Sequence, residues 1–192
     1  PVEHVIEEIR GLRYENVYLA DDTLFLENRR IRAYATELLH ALRGLGKRYF
    51  VSSTLALNRD PVLMDLMAKA GVANFYCTMN VDPVSKAAIF GKGPERRMLA
   101  DLVRQLDDHG IRFFGSFAVG RDWDDASIAD RILELSAETG IHTAEFFLFT
   151  PYPGGLHWDR MERQKRIIDR DWSHYNGAHV VFRPELMTPD EL

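Results

Sequence analysis

The sequence predicts an α/β fold: a parallel (β/α) sheet of about five βα units, entered on a helix and followed by a short C-terminal extension. Three observations predict it. Short strand-like runs that are apolar along their length alternate with segments whose apolar residues recur every three to four positions, as in helix-covered parallel sheets. The strand starts, near Val17, Tyr49, Ala73, Ile111 and Thr143, recur at the spacing of βα units without any repeat of sequence. Glycine, proline and capping residues punctuate the boundaries at the positions where helices start and stop.

Taken in order, Val2 to Arg13 places Val2, Val5, Ile6, Ile9 and Leu12 on one helical face, with Pro1 suited to a helix start. NVYLADD is a short strand that ends in two aspartates. Asn28 is placed to cap the next helix, whose inward face is Ile31, Tyr34, Leu38, Leu39 and Leu42 and which Gly44 and Gly46 stop. RYFVSST is the second strand. Asp60–Pro61 pairs an N-cap with proline at the first helical position, and that helix stops at Gly71. ANFYCTM is the third strand, and DPVSKAAIFG a turn or short helix. Pro94 then opens a helix with Met98, Leu99, Leu102, Val103 and Leu106 inward, ended by His109–Gly110. IRFFGSFAVG is the fourth strand. Asp124 or Asp125 begins a helix through Ile128, Ile132, Leu133 and Leu135 to Gly140, and HTAEFFLFT is a fifth strand cut off by PYPGG. Residues 1–154 read as the core. Residues 155–192, rich in Trp, His, Tyr, Arg and Pro, read as an extension packed on it, with a short helix near Trp158–Lys165, a strand AHVVFR and a capping Thr188.

The opening helix has no strand before it, so a strand is expected ahead of Pro1. An isolated piece with that edge open is expected to self-associate or to pair the edge with a neighbour.

Composition narrows the function. The chain has 192 residues, 46% of them hydrophobic and 28% charged, a globular balance. The formal net charge of −5 lacks the basic excess of nucleic-acid binders. No apolar run is long enough to span a bilayer and no leader is visible, which points to a cytoplasmic protein. The single cysteine, Cys77, permits no internal disulfide and no iron–sulfur cluster within this chain. No nucleotide-binding glycine motif follows a strand, and no catalytic triad or metal-binding histidine spacing is present.

In parallel α/β proteins ligands bind at the carboxyl ends of the strands. Those ends carry Asp21 and Asp22; Ser52, Ser53 and Thr54; Cys77, Thr78 and Asn80; Gly115, Ser116, Gly120 and Asp122; and Thr150 with Tyr152. The aspartate pair suits an ammonium group, a ribose hydroxyl or a metal, and equally an Asx turn with a solvated neighbour. Cys77 suits a small buried residue better than a reactive thiol. Read on their own, these residues form a binding face without a catalytic device.

P-x-E-x-V-I-x-E-I at the start, VYLADDTLF, GIRFFGSFAVGRDWDD, FTPYPGGLHW and the DWSHYNGAHVVFRPELMTPDEL tail together resemble the radical SAM superfamily. The branch resembled often carries an N-terminal cobalamin-binding domain and includes the anaerobic magnesium-protoporphyrin cyclase and related methylases. The resemblance implies a partial (β/α)6 barrel in which a C-x-x-x-C-x-x-C loop, lying before Pro1 here, holds a 4Fe–4S cluster. S-adenosylmethionine would be cleaved reductively there to drive methylation, cyclisation or rearrangement of a small-molecule substrate. Flavodoxin or ferredoxin would supply electrons, and cobalamin is a further cofactor of the branch. The resemblance assigns cofactor binding to Asp21, Asp22, Ser53, Asn80, Ser116, Gly120 and Thr150. The third strand departs from the pattern: relatives carry G-F-E-S where this chain has Cys77-Thr78-Met79-Asn80, without the glutamate. A barrel module that has lost the chemistry is the alternative.

Overall fold

A computed structural model of the chain describes residues 1–21, 23–24, 28–55, 60–79 and 89–192. The elements run α1 (Val2–Gly11), β1 (Asn16–Leu19), α2 (Arg29–Leu42), β2 (Arg48–Ser52), α3 (Pro61–Ala70), β3 (Val72–Met79), α4 (Pro94–Asp108), β4 (Arg112–Val119), α5 (Ile128–Thr139), β5 (Thr143–Leu148) and α6 (Leu156–Arg163). The five strands form one sheet in the order β1-β2-β3-β4-β5, and every neighbouring pair is parallel. A doubly wound sheet reverses its order at a switch point. This sheet does not; each strand is added beside the last, and the sheet stays open.

Local signals set most boundaries. Asn28 Oδ1 accepts from the backbone N–H of Arg30 at 2.9 Å and Ile31 at 3.3 Å, satisfying donors at the start of α2. Asp60 Oδ1 does the same for Leu63 N–H at 3.0 Å, with Pro61 at the first helical position. His109 caps α4, its Nδ1 lying 2.7 Å from the Gln105 carbonyl. Thr188 and Glu191 form a reciprocal capping box: the Thr188 N–H donates to Glu191 Oε2 at 2.7 Å, and the Glu191 N–H to Thr188 Oγ1 at 3.3 Å.

One face of the sheet carries the core. Val17, Val51, Phe75, Cys77, Met79, Phe113 and Phe117 join the inward residues of α1 to α5 in a single hydrophobic cluster. Each such side chain, fully buried, contributes roughly 1.5–3 kcal/mol. A second, smaller cluster of Met161, Tyr175, Val181 and Phe182 organises the C-terminal extension. That extension is anchored by Asp122, which pairs with Arg166 at 2.6 Å and with Arg160; Arg166 also holds Glu185 at 3.0 Å and donates to the Arg183 carbonyl at 2.7 Å. The extension also reaches β5, whose Leu148 N–H donates to the Gly177 carbonyl at 2.7 Å. The outer edge of β1 has no strand partner among the described residues.

Several expectations need correction. The first helix stops at Gly11, and Leu12, in extended conformation, is 37% exposed. Tyr34 and Leu133 lie outside the core, at 37% and 64% exposure, because the buried stripes of α2 and α5 run through Ala35–Leu38–Leu39–Leu42 and Ile128–Ile132–Leu135–Thr139. Neither Asp124 nor Asp125 caps α5: Ser127 is the N-cap residue, while Asp124 Oδ2 accepts from the Arg121 N–H at 3.0 Å and Asp125 Oδ1 from the Ser127 N–H at 3.0 Å. AHVVFR makes one antiparallel bridge, Phe182 to Ile167, and no strand. The segment 81–88, expected to hold a turn or short helix, lies outside the described residues, as do Asp22 and Asn80.

Cys77 faces the core at 2% exposure, and burial pushes its thiol up to about 12. The thiolate is the reactive form. At pH 8 the native chain is therefore expected to resist a thiol-specific reagent and to react stoichiometrically in denaturant; rapid labelling of the folded chain would refute this burial.

Among the described residues, no helix is long and apolar enough to cross a membrane.

Candidate functional site

Because all five strands are parallel, their carboxyl ends share one rim. Asp21 follows β1 there, exposed, with its N–H donating to the Leu19 carbonyl at 2.8 Å and its Oδ1 accepting from the Thr23 N–H at 3.2 Å. This is the Asx-turn geometry, and it leaves the carboxylate accessible. Ser53 follows β2 and is buried, its N–H donating to the Tyr76 carbonyl at 2.9 Å. Gly120 follows β4 with φ +90°, and the Leu192 side chain lies 2.5 Å from where a β-carbon would stand. The left-handed backbone is what favours glycine there; the Leu192 side chain could turn aside. Thr150 follows β5, buried, with Oγ1 donating to the Leu148 carbonyl at 3.1 Å. Arg121, beside Gly120, lies over the Phe149 ring at 4.7 Å, a cation–π arrangement at the same rim.

Ser116 is not at a strand end. It sits inside β4, opposite Thr78 and Glu145 in register, on the face turned away from the helices. Alternation puts Asn16 and Tyr18, Arg48, Phe50 and Ser52, Asn74 and Tyr76, Phe114 and Ser116, and Glu145 on that same face. A register shift between Tyr49 and Phe50 places Phe50 opposite Asn74 and not Ala73. The shift moves Asn74, Tyr76 and Thr78 onto the open face and Phe75, Cys77 and Met79 into the core, as a one-residue slip must.

The open face holds a recess of about 600 Å³, lined by Tyr18, Phe50, Tyr76, Phe114 and Glu145 among others. Ring centroids stand 5.2 Å apart for Tyr18–Phe50, 5.7 Å for Phe50–Phe114 and 5.7 Å for Tyr76–Phe114. Glu145 Oε1 accepts from the Tyr76 hydroxyl at 2.6 Å and the Ser116 hydroxyl at 2.8 Å. Burial, and then the hydrogen bond to Glu145, raise the Tyr76 hydroxyl above its ordinary value, so it stays a donor at neutral pH. The Tyr18 and Ser52 hydroxyls lie 3.1 Å apart.

Sequence reasoning passed over Glu145 and the four rings. A carboxylate inside an otherwise apolar strand was the available signal for the first. Adjacent aromatic pairs, Tyr49–Phe50, Phe75–Tyr76 and Phe113–Phe114, were the signal for three of the others, since alternation puts one ring of each pair on each face, but nothing in one strand shows which rings will be neighbours.

In the extension, His174 Nδ1 lies 2.7 Å from Asp169 Oδ2, and that hydrogen bond raises the imidazole above its usual range. Among the described residues no group of three or more His, Cys, Asp or Glu gathers as a metal site would require.

No protein-family model matches the chain. Its similarities to individual proteins are more telling. It is 24% identical over 195 residues to an uncharacterized methyltransferase of Pyrococcus horikoshii, covering 100% of this chain and 42% of that protein. It is 24% identical to the bacteriochlorophyllide d C-12(1)-methyltransferase of Chlorobaculum tepidum over 83% of this chain and 35% of the relative. Identity to the hopanoid C-2 methylase of Rhodopseudomonas palustris is 25%, over 85% and 31%. The chain thus spans well under half the length of these relatives. Among solved structures, the fold matches the radical S-adenosylmethionine methyltransferase TsrM of Kitasatospora setae, determined with cobalamin and a 4Fe–4S cluster bound. That match has TM-score 0.67 and 15% identity, over 100% of this chain and 40% of TsrM. A second TsrM structure, with tryptophan substrate and a SAM analogue, matches at TM-score 0.60 over 76% of the chain. The fold that the resemblance to the radical SAM superfamily implies is therefore matched by the architecture of TsrM.

Proposed function

We propose that the chain is the C-terminal part of the catalytic core of a radical SAM methyltransferase, with residues 1–154 forming the open barrel wall and 155–192 an extension packed on it. The observation that carries this reading is the shared rim: five parallel strands in sequential order present Asp21, Ser53, Gly120 and Thr150 at one end. The accessible Asp21 carboxylate fits the ammonium of S-adenosylmethionine, and the rim Thr150 and Ser53 supply neutral polar walls. Asp22, Asn80 and Ser116 complete the proposed cofactor set, Ser116 from within β4.

A 4Fe–4S cluster, bound, would supply the electron that cleaves S-adenosylmethionine. Its ligands would not come from this chain, because Cys77 is buried in the core on the face opposite the recess. We place them, together with a further strand, in a preceding segment. Two observations support that placement: the relatives are more than twice as long, and a groove of about 360 Å³ opens between α1, α2 and β1, the strand whose outer edge has no partner among the described residues. Cobalamin would be held outside this chain as well. The whole protein would draw electrons from flavodoxin or ferredoxin and work in the cytoplasm; this chain by itself would be inactive and prone to pair its β1 edge. The neutral segment Cys77–Thr78–Met79–Asn80 favours the other reading, a barrel module without chemistry.

The test is anaerobic reconstitution of the full-length protein with iron, sulfide and cobalamin. It is expected to bind S-adenosylmethionine, while the 192-residue chain gains no cluster. Asp21→Asn is expected to weaken S-adenosylmethionine binding about tenfold, the loss of one charge-assisted hydrogen bond. Absence of C-x-x-x-C-x-x-C upstream, or no S-adenosylmethionine binding after reconstitution, would leave the module reading standing.

A further inference from the structure

The recess on the open face has a composition that neither the core nor the rim explains. We propose that it binds a planar, conjugated, nitrogen-bearing ligand of several rings that carries a carboxylate arm. The proposal names a substrate class for the methyltransferase reading above and takes its catalytic meaning from it.

Tyr18, Phe50, Tyr76 and Phe114 come from four successive strands, yet none belongs to either hydrophobic cluster. Tyr18 is 58% exposed, a poor position for a large ring unless something lies on it. The rings stand beside one another at 5.2 to 6.0 Å and line a wall instead of closing over the recess. Aromatic faces gain from offset or edge contact with another π system beyond the area buried. A saturated ligand would fill the same space without that gain.

The polar groups are divided between the two sides. Glu145, on β5, uses Oε1 for the Tyr76 and Ser116 hydroxyls. A carboxylate has about four acceptor positions, so it retains acceptor capacity for a ligand N–H. Arg48, on β2, also lines the recess and has no ion-pair partner among the described residues. Asn16 stands beside it in register, and Asn74, opposite Phe50, lines the same recess. A guanidinium with amide neighbours is a carboxylate-binding set. Three strand spacings, about 14 Å at the usual inter-strand distance, separate β2 from β5 across the sheet, and the register sets Arg48 several residues nearer the amino end than Glu145. One indole cannot bridge that gap and a multi-ring plane can. The volume of about 600 Å³ lies in the range of small-molecule sites.

Calorimetric titration of the chain tests the inference with three probes: chlorin e6, a planar tetrapyrrole acid; cholate, a saturated four-ring acid; and indole-3-propionate. Chlorin e6 is expected to bind, with the other two at least tenfold weaker. Phe50→Leu and Phe114→Leu, which keep apolar bulk and remove the ring, are each expected to weaken chlorin binding about fivefold. Glu145→Gln, nearly isosteric and so safe for the fold, is expected to weaken it about tenfold. No chlorin binding, cholate or indole-3-propionate binding as tightly as chlorin, or chlorin affinity unchanged in Phe50→Leu and Glu145→Gln would overturn the proposal. None of these titrations uses S-adenosylmethionine or a cluster. Loss of S-adenosylmethionine binding in the reconstituted protein with chlorin binding intact would refute the methyltransferase reading alone. The converse result would refute this inference alone.

Discussion

Asp122→Ala is expected to release the C-terminal extension from the sheet at a cost of about 3 kcal/mol. The Asp122 carboxylate is the point at which Arg160 and Arg166 both meet the loop after β4, and the Arg166 side chain is only 10% exposed. Burial already pulls the Arg166 guanidinium below its ordinary value, with Glu185 opposing the shift. Removing Asp122 strips away one of its two carboxylates and leaves a mostly buried cation less compensated. The expense then lies in the unpaired charge more than in the lost attraction, so Asp122→Leu combined with Arg166→Met should recover most of the loss. Trp158 and Trp172 sit in the extension, with ring centroids 5.5 Å apart. Their fluorescence should therefore change at lower urea than the far-ultraviolet circular dichroism in Asp122→Ala, and together with it in the unsubstituted chain. Coincident transitions at an unchanged midpoint would show that the extension is held by its hydrophobic cluster alone.

Gly71→Ala is expected to cost roughly 2–4 kcal/mol, from left-handed strain plus a backbone clash. Gly71 ends α3 at φ +96°, and a β-carbon there would stand 2.5 Å from the Lys47 carbonyl oxygen. That oxygen is backbone and cannot swing aside. Its neighbourhood also sets the sheet: the Gly71 carbonyl accepts from the Tyr49 N–H at 2.9 Å, next to the register shift that aligns Phe50 with Asn74. Gly44→Ala is the control, since that glycine has φ +78° but nothing within 4 Å of the added carbon. It should show the conformational penalty alone, about 1 kcal/mol. Equal midpoints for the two variants in thermal unfolding would remove the clash from the account.

The sequence carried the helix boundaries because their causes are local. Asn28, Asp60–Pro61, Gly71 and Thr188 act on donors and carbonyls a few residues away, and each does in the structure what its position implies. Where local and tertiary causes compete, the sequence misled. Asp124 and Asp125 look like helix caps, but they close the preceding turns, and Leu133 repeats near the right period yet faces water. Ser116 and Gly120 are four residues apart in sequence, but one lies on the open face and the other at the rim, because β4 runs to Val119.

By itself, then, the sequence determined an alternation of strands and helices, the caps that bound them, and motifs that resemble the radical SAM superfamily. Those follow from contacts within one turn or one strand. Only the tertiary structure decided that the strands line up in chain order, that a one-residue register shift turns Tyr76 towards Glu145, and that four rings share one wall. Strand order and register are set by packing between residues tens of positions apart, such as Tyr76 and Glu145, and no local pattern encodes which distant side chains will meet.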